Sequence, residues 1–275
     1  MWRCDTGRAS WKSNQAASLK LITWNINRRR ATEEQAEALK SRSPDLVALQ
    51  EVRLGSLEVW REALADLGLR YVESTRELAN DRRSFLLIAS RWPLCERGSR
   101  AIEVPMAELI LSTYLKAPAR PIQVINTHVP NGSSYGWRKV EHLEALYRYL
   151  VRSGPAARIL CGDFNSPQAE RDDGTVLTWG QSELGNLRPS RGQRWDAAER
   201  GVILGLEPFG LRDVFRCLNG YSARDGSWAP PSGPERRFDH VFAAPELESK
   251  SAHYLHEWRG GLSDHSALEV VLEAT

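Results

Sequence analysis

The chain alternates between short apolar runs and longer stretches in which apolar residues recur at helical spacing. From about residue 19, segments rich in Ile, Val and Leu predict β-strands. Several of these segments follow one another with no helix between them. The predicted strands are LKLITWNIN, DLVALQEV, SFLLIAS, ELILSTYLK, PIQVINTHV, RILCGDFN, RFDHVFAA and SALEVVLE.

The segments ATEEQAEALKSR, LEVWREALADLG and WRKVEHLEALYRYLVRS predict helices, because each places apolar residues on one helical face. Thr32, followed by two glutamates, predicts a helix start, and Gly68 predicts a helix end. Because the strands outnumber the helices, the pattern excludes a barrel of alternating strand and helix units. It favours an α/β protein with sheets packed on each other and helices outside.

The same pattern predicts a single domain over residues 19–275, preceded by a disordered leader over residues 1–18. No low-complexity linker divides the chain. Residues 180–194 and 221–237 are dense in Gly, Pro, Ser and Arg, and they predict long loops at the rim of the domain. Long loops inside a compact domain are commonly functional.

The composition is that of a globular protein, with 41% hydrophobic and 26% charged residues. No run approaches the roughly 18 apolar residues of a membrane helix, and the first residues lack the apolar core of a secretory signal. An organelle transit peptide stays open as an alternative. The four cysteines are far apart, which argues against a zinc cluster or a disulfide framework. We therefore expect an intracellular, cytoplasmic monomer that does not bind membranes.

The charge pattern leaves the partner open. A net charge of +2 and a pI of about 8.4 are too mild to identify a polyanionic ligand. Arginines cluster at residues 28–30, 82–83 and 236–237. Arginine binds phosphate well, but a preference for arginine over lysine also follows from genome composition.

Polar residues interrupt the apolar runs where the predicted strands end. Singly, an Asp or Asn in such a place is usually a turn residue that satisfies nearby backbone groups. If these ends converge, they gather carboxylates, amides and imidazoles with almost no lysine, and such a cluster needs a cation. The pairs are Asn25 and Asn27, Gln50 and Glu51, Asn126 and His128, Asp163 and Asn165, Asp239 and His240, and Asp264 and His265.

These residue types indicate metal-assisted hydrolysis of a phosphoester. Oxygen ligands such as Glu51, Asp264 and the Asn amides suit Mg²⁺ or Mn²⁺ rather than Zn²⁺. The reaction needs a cation, a carboxylate that deprotonates water, and donors for the phosphoryl oxygens. The segments TWN, QE, NTH, GDFN, RFD and SDH, in that order, supply each part.

This ordered set resembles the endonuclease/exonuclease/phosphatase superfamily over nearly the whole chain, from about Leu19 to Leu272. The resemblance implies a four-layer α/β/β/α sandwich, in which two mixed sheets pack face to face with helices outside. It also implies a site at one end of the sheets and divalent-metal-dependent hydrolysis of phosphodiester bonds.

The resemblance implies a Mg²⁺ or Mn²⁺ site. Asn27 and Glu51 match positions that help to hold the metal, and Asp264 matches a metal ligand or charge-relay acid. Asn25 matches a position near the metal or the phosphate. Asn27 is a departure, since several nuclease relatives have an Asp there.

The resemblance also implies catalytic roles. Asp163 matches the residue that activates or holds the attacking water, and Asn165 the residue that orients the phosphate or the nucleophile. His265 matches the imidazole that faces the phosphate, and Asp239 the acid that fixes its tautomer. We expect His128 beside His265 at the scissile phosphate.

Three segments favour a DNA nuclease of the exonuclease III-like kind. The stretches VPNG and LRDVFR resemble segments of those enzymes, and Trp228 lies where they place an aromatic recognition element. We expect Asn131, Trp137, Arg138 and Trp228 to contact the substrate, with the tryptophans against bases or a distorted backbone and the arginine against phosphate.

Other features leave alternatives open. His128 in Asn-Thr-His is typical of the phosphatase, DNase I and deadenylase branches, and Ala-Pro-Pro stands where abasic-site endonucleases have a second Trp. A phosphodiesterase or phosphatase for a lipid, an inositol phosphate or a modified nucleotide is therefore the second hypothesis. A non-catalytic binding scaffold is the third, and the intact set of polar residues argues against it.

Overall fold

The computed structural model describes residues 18–79, 84–95, 102–152, 154 and 157–274. Except for Ser18, which opens the first strand, the predicted leader lies outside the described residues, as do Arg82 and Arg83. The domain boundary stays a prediction. No helix in the described ranges is both long and apolar enough to cross a membrane.

The described chain contains strands and helices in mixed order. The strands are β1 (Ser18–Asn25), β2 (Leu46–Val52), β3 (Tyr71–Ser74), β4 (Phe85–Ser90), β5 (Leu94–Cys95), β6 (Ile110–Lys116), β7 (Pro121–His128), β8 (Arg158–Asp163), β9 (Ala169–Glu170), β10 (Val176–Leu177), β11 (Arg212–Asp213), β12 (Asp239–Ala243), β13 (Leu247–Leu255) and β14 (Ala267–Ala274). The helices are α1 (Thr32–Arg42), α2 (Leu57–Asp66), α3 (Gly132–Tyr135), α4 (Trp137–Leu150), α5 (Gly192–Ile203) and α6 (Val214–Asn219).

The longer strands form two six-stranded mixed sheets. The first has the order β13-β14-β1-β2-β4-β3, and the second has the order β11-β12-β8-β7-β6-β5. In each sheet one central pair is parallel, β1 with β2 and β7 with β8. Strands β9 and β10 form a separate hairpin.

Three apolar cores separate four layers. The central core lies between the sheets and includes Leu21, Leu46, Val124 and Ile159. A second core packs α1 and α2 on the first sheet, and a third packs α4 and α5 on the second sheet. Each sheet contributes to two cores because successive side chains of a strand point to opposite faces. In β1, alternate side chains enter the central core and the outer core. The predicted four-layer sandwich is confirmed.

Some elements were not assigned from the sequence. Helix α5 begins inside the predicted loop 180–194, although Trp195, Ala198 and Val202 are buried at helical spacing. Strand β13 is the edge of the first sheet, and its pairing with β14 shifts between Ser249 and Ser251. The shift interrupts the alternation that would have identified this strand.

Candidate active site

The sheet registers bring the predicted strand-end residues together. In the first sheet Asn25 pairs with Gln50, and in the second sheet His128 pairs with Asp163. Asp239, the first residue of β12, lies opposite Asp163 across an antiparallel pair. The polar ends of β1, β2, β7 and β8 and the start of β12 therefore meet at one end of the sandwich.

Gly162 is needed for this close approach. Its φ is +132°, and a Cβ there would lie 1.9 Å from the backbone oxygen of Thr127 on β7. Any larger residue would force β7 and β8 apart, and His128 and Asp163 are the next pair in the register.

A local distortion of β2 sets the position of Glu51. The pairing of β2 with β4 shifts between Leu49 and Val52, and Glu51 adopts a φ of +56°. Such an irregularity re-aims a side chain that would otherwise follow the alternation of the strand. Glu51 thereby lines the cleft described below.

The amide of Asn25 joins carboxylates from both sheets. Its Nδ2 donates to Asp163 Oδ2 at 2.9 Å and lies 3.3 Å from Glu51 Oε1. Its Oδ1 accepts from the backbone N–H of Asn27 at 2.9 Å. With every polar atom of this amide engaged, Asn25 holds two acids close together.

Asp163 and Asn165 form a compact turn after β8. The backbone N–H of Asn165 donates to Asp163 Oδ1 at 2.8 Å, and Asn165 Nδ2 donates to the Val129 oxygen at 3.0 Å. His128 Nε2 lies 3.4 Å from Asn165 Nδ2 and 3.6 Å from Asp163 Oδ2. The first predicted histidine is therefore in contact with both residues.

His265 and Asp239 form a buried pair on the other side of Asp163. His265 Nδ1 lies 2.7 Å from Asp239 Oδ2, and His265 Nε2 lies 3.9 Å from Asp163 Oδ2. Burial alone would lower the pKa of His265, but the Asp239 and Asp163 carboxylates more than offset it and raise the pKa to about 10. Tyr254 donates to the Asp239 backbone oxygen at 2.6 Å and does not contact the Asp239 carboxylate.

The donor set fits a hard divalent cation beside Glu51. Glu51 Oε2 is buried and has no hydrogen bond of good geometry, although Arg28 Nε lies 3.0 Å away as an ion-pair partner. Glu51 and Asp163 share the Asn25 amide, so their negative charges lie close together. Carboxylate and amide oxygens at such a place suit Mg²⁺ or Mn²⁺. Asn27 and Asp264, the other predicted ligands, line the same cleft.

A second group of possible metal ligands lies beside the predicted set. Among the described residues, Asp163, Asp239 and His265 each place one ligand atom within 4.8 Å of the others. The short contact between His265 and Asp239 occupies Nδ1 and Oδ2, whereas Asp239 Oδ1 is buried without a hydrogen bond, and the assignment of the metal to the Glu51 side stays a prediction.

The site opens into a cleft of about 610 Å³. Its floor contains Glu51, His128, Asp163, Asn165 and His265, and the predicted substrate residues Asn131 and Trp228 lie on its walls. The Trp228 ring stacks on Phe238 with a centroid distance of 5.3 Å. Asn131 also caps α3, since its side chain accepts from Ser133 N at 2.8 Å.

Two predicted substrate contacts lie elsewhere. Trp137 and Arg138 are not among the described residues that line the cleft. The Trp137 ring packs against Trp195 at 5.5 Å, and the Arg194 guanidinium covers it at 5.5 Å. Trp137 therefore takes part in the contact between α4 and α5, while the residue remains 44% exposed, and its contact with a substrate stays a prediction.

The cleft also contains Trp179 and Arg191, which the sequence analysis did not name. Two basic residues, Lys139 and Arg236 of the 236–237 arginine cluster, line it as well. The Arg236 guanidinium lies between two rings, 5.2 Å from that of Trp179 and 5.8 Å from that of Trp228. Arginine and tryptophan at the borders of the predicted rim loops were the available signals, but only the fold shows which of them face the cleft.

Other polar strand-end residues join the layers. Gln50 Nε2 donates to Asn126 Oδ1 at 2.8 Å between the sheets, and Asn126 Nδ2 donates to the Leu49 oxygen at 3.0 Å. His240 Nε2 lies 2.8 Å from the Ser166 oxygen. These buried side chains satisfy polar atoms at the end of the central core.

Comparison with known proteins gives a family and a set of similar folds. A sequence profile described as Endonuclease/Exonuclease/phosphatase family matches residues 22–265. A search of curated proteins gave no match. An AP endonuclease from Archaeoglobus fulgidus has a TM-score of 0.67 and 20% identity, with 92% of this chain and 99% of that chain covered.

Two further solved structures are similar. An endonuclease/exonuclease/phosphatase from Beutenbergia cavernae DSM 12333 has a TM-score of 0.63 and 18% identity, with 94% of this chain and 72% of that chain covered. A humanized D. rerio TDP2 with 14 mutations has a TM-score of 0.64 and 15% identity, with 93% and 98% covered. At these identities the likeness shows the fold.

The profile match extends over most of the chain, from β1 to the histidine that follows Asp264. The chain therefore belongs to the endonuclease/exonuclease/phosphatase family, whose enzymes hydrolyse phosphoester bonds and generally depend on a divalent metal ion.

Proposed function

We propose that this protein is a Mg²⁺- or Mn²⁺-dependent nuclease that hydrolyses phosphodiester bonds in DNA. The observation that carries the proposal is the convergence of Asp163, Asn165, His128 and the Asp239–His265 pair on the floor of one cleft. Arg28, Arg191 and Arg236 on its walls are suited to the phosphates of a nucleic acid. The similarity to an AP endonuclease fold supports this substrate class.

The side chains assist the attack of water on phosphorus, in which the water oxygen bonds to phosphorus, the P–O bond to the leaving oxygen breaks, and that oxygen takes up a proton from solvent. Asp163, held by Asn25, accepts the proton of the attacking water. His265 carries a proton because the neighbouring carboxylates raise its pKa, and its Nε2 donates to a phosphoryl oxygen. Asn165 and His128, whose Nδ2 and Nε2 are 3.4 Å apart, lie side by side and together orient the phosphate.

Glu51 holds the divalent ion in this proposal, with Asn27 and Asp264 as further ligands on the same cleft. The bound ion supplies positive charge that offsets the negative charge on the phosphoryl oxygens.

The proposal is tested with a substrate panel. Purified protein is assayed on plasmid, single-stranded and abasic-site DNA, with and without Mg²⁺ or Mn²⁺. We expect metal-dependent cleavage of at least one of these, and a loss of orders of magnitude in the separate variants Asp163→Ala and His265→Ala with the fold intact. Failure to cleave any DNA, together with turnover of a small phosphoester, would contradict it.

A second candidate is a phosphodiesterase for a small phosphoester. It is favoured by the cleft volume of about 610 Å³, a size typical of small-ligand pockets, and by the placement of Trp137 and Arg138 outside the cleft. Salt dependence distinguishes the two functions. Affinity for DNA falls steeply with salt because several phosphates are contacted, whereas affinity for a small substrate does not.

A further inference from the structure

The backbone oxygen of Asn165 accepts hydrogen bonds from two side chains of the outer helical layer and the rim. Lys139 Nζ donates at 2.7 Å, and Trp179 Nε1 donates at 3.0 Å. Asn165 has a φ of +48°, a conformation that side-chain-bearing residues rarely adopt. Two donors on one carbonyl hold this unusual backbone turn in place.

Lys139 reaches Asn165 from α4 and is fixed there by Glu199 of α5. Lys139 Nζ and Glu199 Oε1 are 2.7 Å apart, and their side chains are 1% and 0% exposed. The Glu199 carboxylate also accepts from the backbone N–H of Trp179 and from Trp195 Nε1, each at 2.8 Å. The carboxylate thus orients both donors of the Asn165 oxygen, Lys139 directly and Trp179 through its backbone.

Stability alone does not account for a charged pair at this place. The desolvation of a buried ion pair offsets much of its attraction, and apolar residues of similar size often stabilise a helix contact as well or better. Burial lowers the pKa of Lys139, which shows that the environment disfavours its charge. An apolar side chain would fill the space between α4 and α5, but it would leave the Asn165 oxygen with Trp179 as its only side-chain donor.

We propose that Lys139, oriented by Glu199, is a positioning residue that fixes the Asn165 backbone so that the Asn165 amide meets the scissile phosphate. Trp179 shares this role, and it connects the wall of the cleft with the catalytic floor. The inference rests on the proposed phosphodiester hydrolysis, because it assigns the network a function in that reaction.

A double-mutant cycle with Asn165 tests the inference through activity. The variant Lys139→Met/Glu199→Gln removes the donor without leaving a buried charge, and Trp179→Phe removes the second donor alone. In the wild-type background we expect each to lower kcat by about 10-fold or more with little change in KM, because a misplacement of about 1 Å is costly to catalysis. In the Asn165→Ala background we expect neither to lower kcat further.

The matched control is Glu144→Gln, which breaks another ion pair between α4 and α5, to Arg194, without touching Asn165. We expect wild-type kcat in this variant. Equal fold-losses in the wild-type and Asn165→Ala backgrounds, or unchanged kcat in both network variants, would overturn the positioning role.

Hydrogen exchange gives a readout that needs no turnover. We expect the amides of Phe164 and Asn165 to exchange about 10-fold faster or more in the network variants, with wild-type rates in Glu144→Gln. Unchanged exchange at these amides overturns the inference. A wild-type protein that cleaves no phosphodiester contradicts the proposed function instead, and the exchange measurement then decides the positioning role alone.

Discussion

Asp239 and His265 meet through a 2.7 Å contact between Oδ2 and Nδ1, buried beneath the cleft. The contact fixes the orientation of the imidazole and keeps a proton on it, because the carboxylate favours the charged ring. We predict that Asp239→Asn lowers turnover by about 10- to 100-fold, the loss typical of removing such a supporting carboxylate. Steady-state kinetics on the preferred DNA substrate measures it.

Tyr254→Phe is the control for this variant, because Tyr254 contacts the Asp239 backbone oxygen and not its carboxylate. Its turnover should stay near that of the wild type. Equal losses in Asp239→Asn and Tyr254→Phe would mean that the region responds to any disturbance of packing.

Glu51→Gln should weaken metal binding, since it removes a negative charge from the proposed ligand set. We expect at least about a 10-fold rise in the dissociation constant for Mn²⁺, because changes even to outer partners of a metal site have effects of this size. Isothermal titration calorimetry measures the constant directly. Glu58→Gln on the exposed face of α2 is the control, and a similar rise in both variants would exclude Glu51 as a ligand.

Arg28 is the residue to test for phosphate contact, because its side chain is 60% exposed beside Glu51 and lines the cleft. The Asp163→Asn variant serves as a background that does not cleave DNA. In it, we predict that Arg28→Gln makes the negative slope of log affinity against log salt shallower by about 1. Fluorescence anisotropy with a short duplex gives the slope.

Arg61→Gln serves as the charge-matched comparison, since Arg61 lies on α2 in an exposed pair with Glu58. Its slope should equal that of the Asp163→Asn parent. A parallel decrease in the Arg61 variant would point to a general effect of net charge.

His142 predicts a pH dependence of stability. Burial lowers its pKa from 6.5 to about 3, and its Nε2 lies 3.0 Å from Thr127 Oγ1. Below pH 6.5 the unfolded chain binds a proton at this residue and the folded chain does not. The contribution of neutral His142 is therefore complete above pH 6.5 and is lost as the pH falls toward about 3.

In urea unfolding, we expect the free energy of unfolding to fall less steeply between about pH 7 and pH 4 in His142→Gln than in the wild type. Over this pH range the wild type should lose on the order of 3 kcal/mol more of its free energy of unfolding than the variant, because each pH unit between the two pKa values contributes about 1.4 kcal/mol. Identical pH slopes would show that His142 is protonated in the folded protein.

The sandwich and the floor of the site were predictable because local patterns determine them. Apolar runs identify β1, β2, β7 and β8, and the polar residues directly after them must meet where parallel strands end. The edge strand β13 escaped prediction because half of it faces solvent and its register shifts. The hydrophobic pattern predicts strands least well at such sheet edges.

The walls of the cleft depended on contacts that the sequence does not reveal. Arg236 is held by a 3.2 Å hydrogen bond from Nε to the Gln168 oxygen, far away in the chain, and this contact brings it beside Trp179. Trp137 was expected to contact the substrate, and its ring packs at a tilt of 57° against that of Trp195, 5.5 Å away. In both cases the partner across the fold decides the placement.

Left-handed backbone is concentrated around the cleft. Of the described non-glycine residues with positive φ, Asn27, Arg28, Glu51 and Asn165 line it, and Ser43 at the end of α1 lies elsewhere. Each of these conformations costs about 1 kcal/mol relative to glycine. These backbone conformations therefore lower the stability of the folded protein at the cleft. An Asn27→Gly variant should have a higher melting temperature and bind the metal less tightly. Selection for thermal stability alone would therefore favour substitutions at these cleft positions first, and those substitutions would reduce activity.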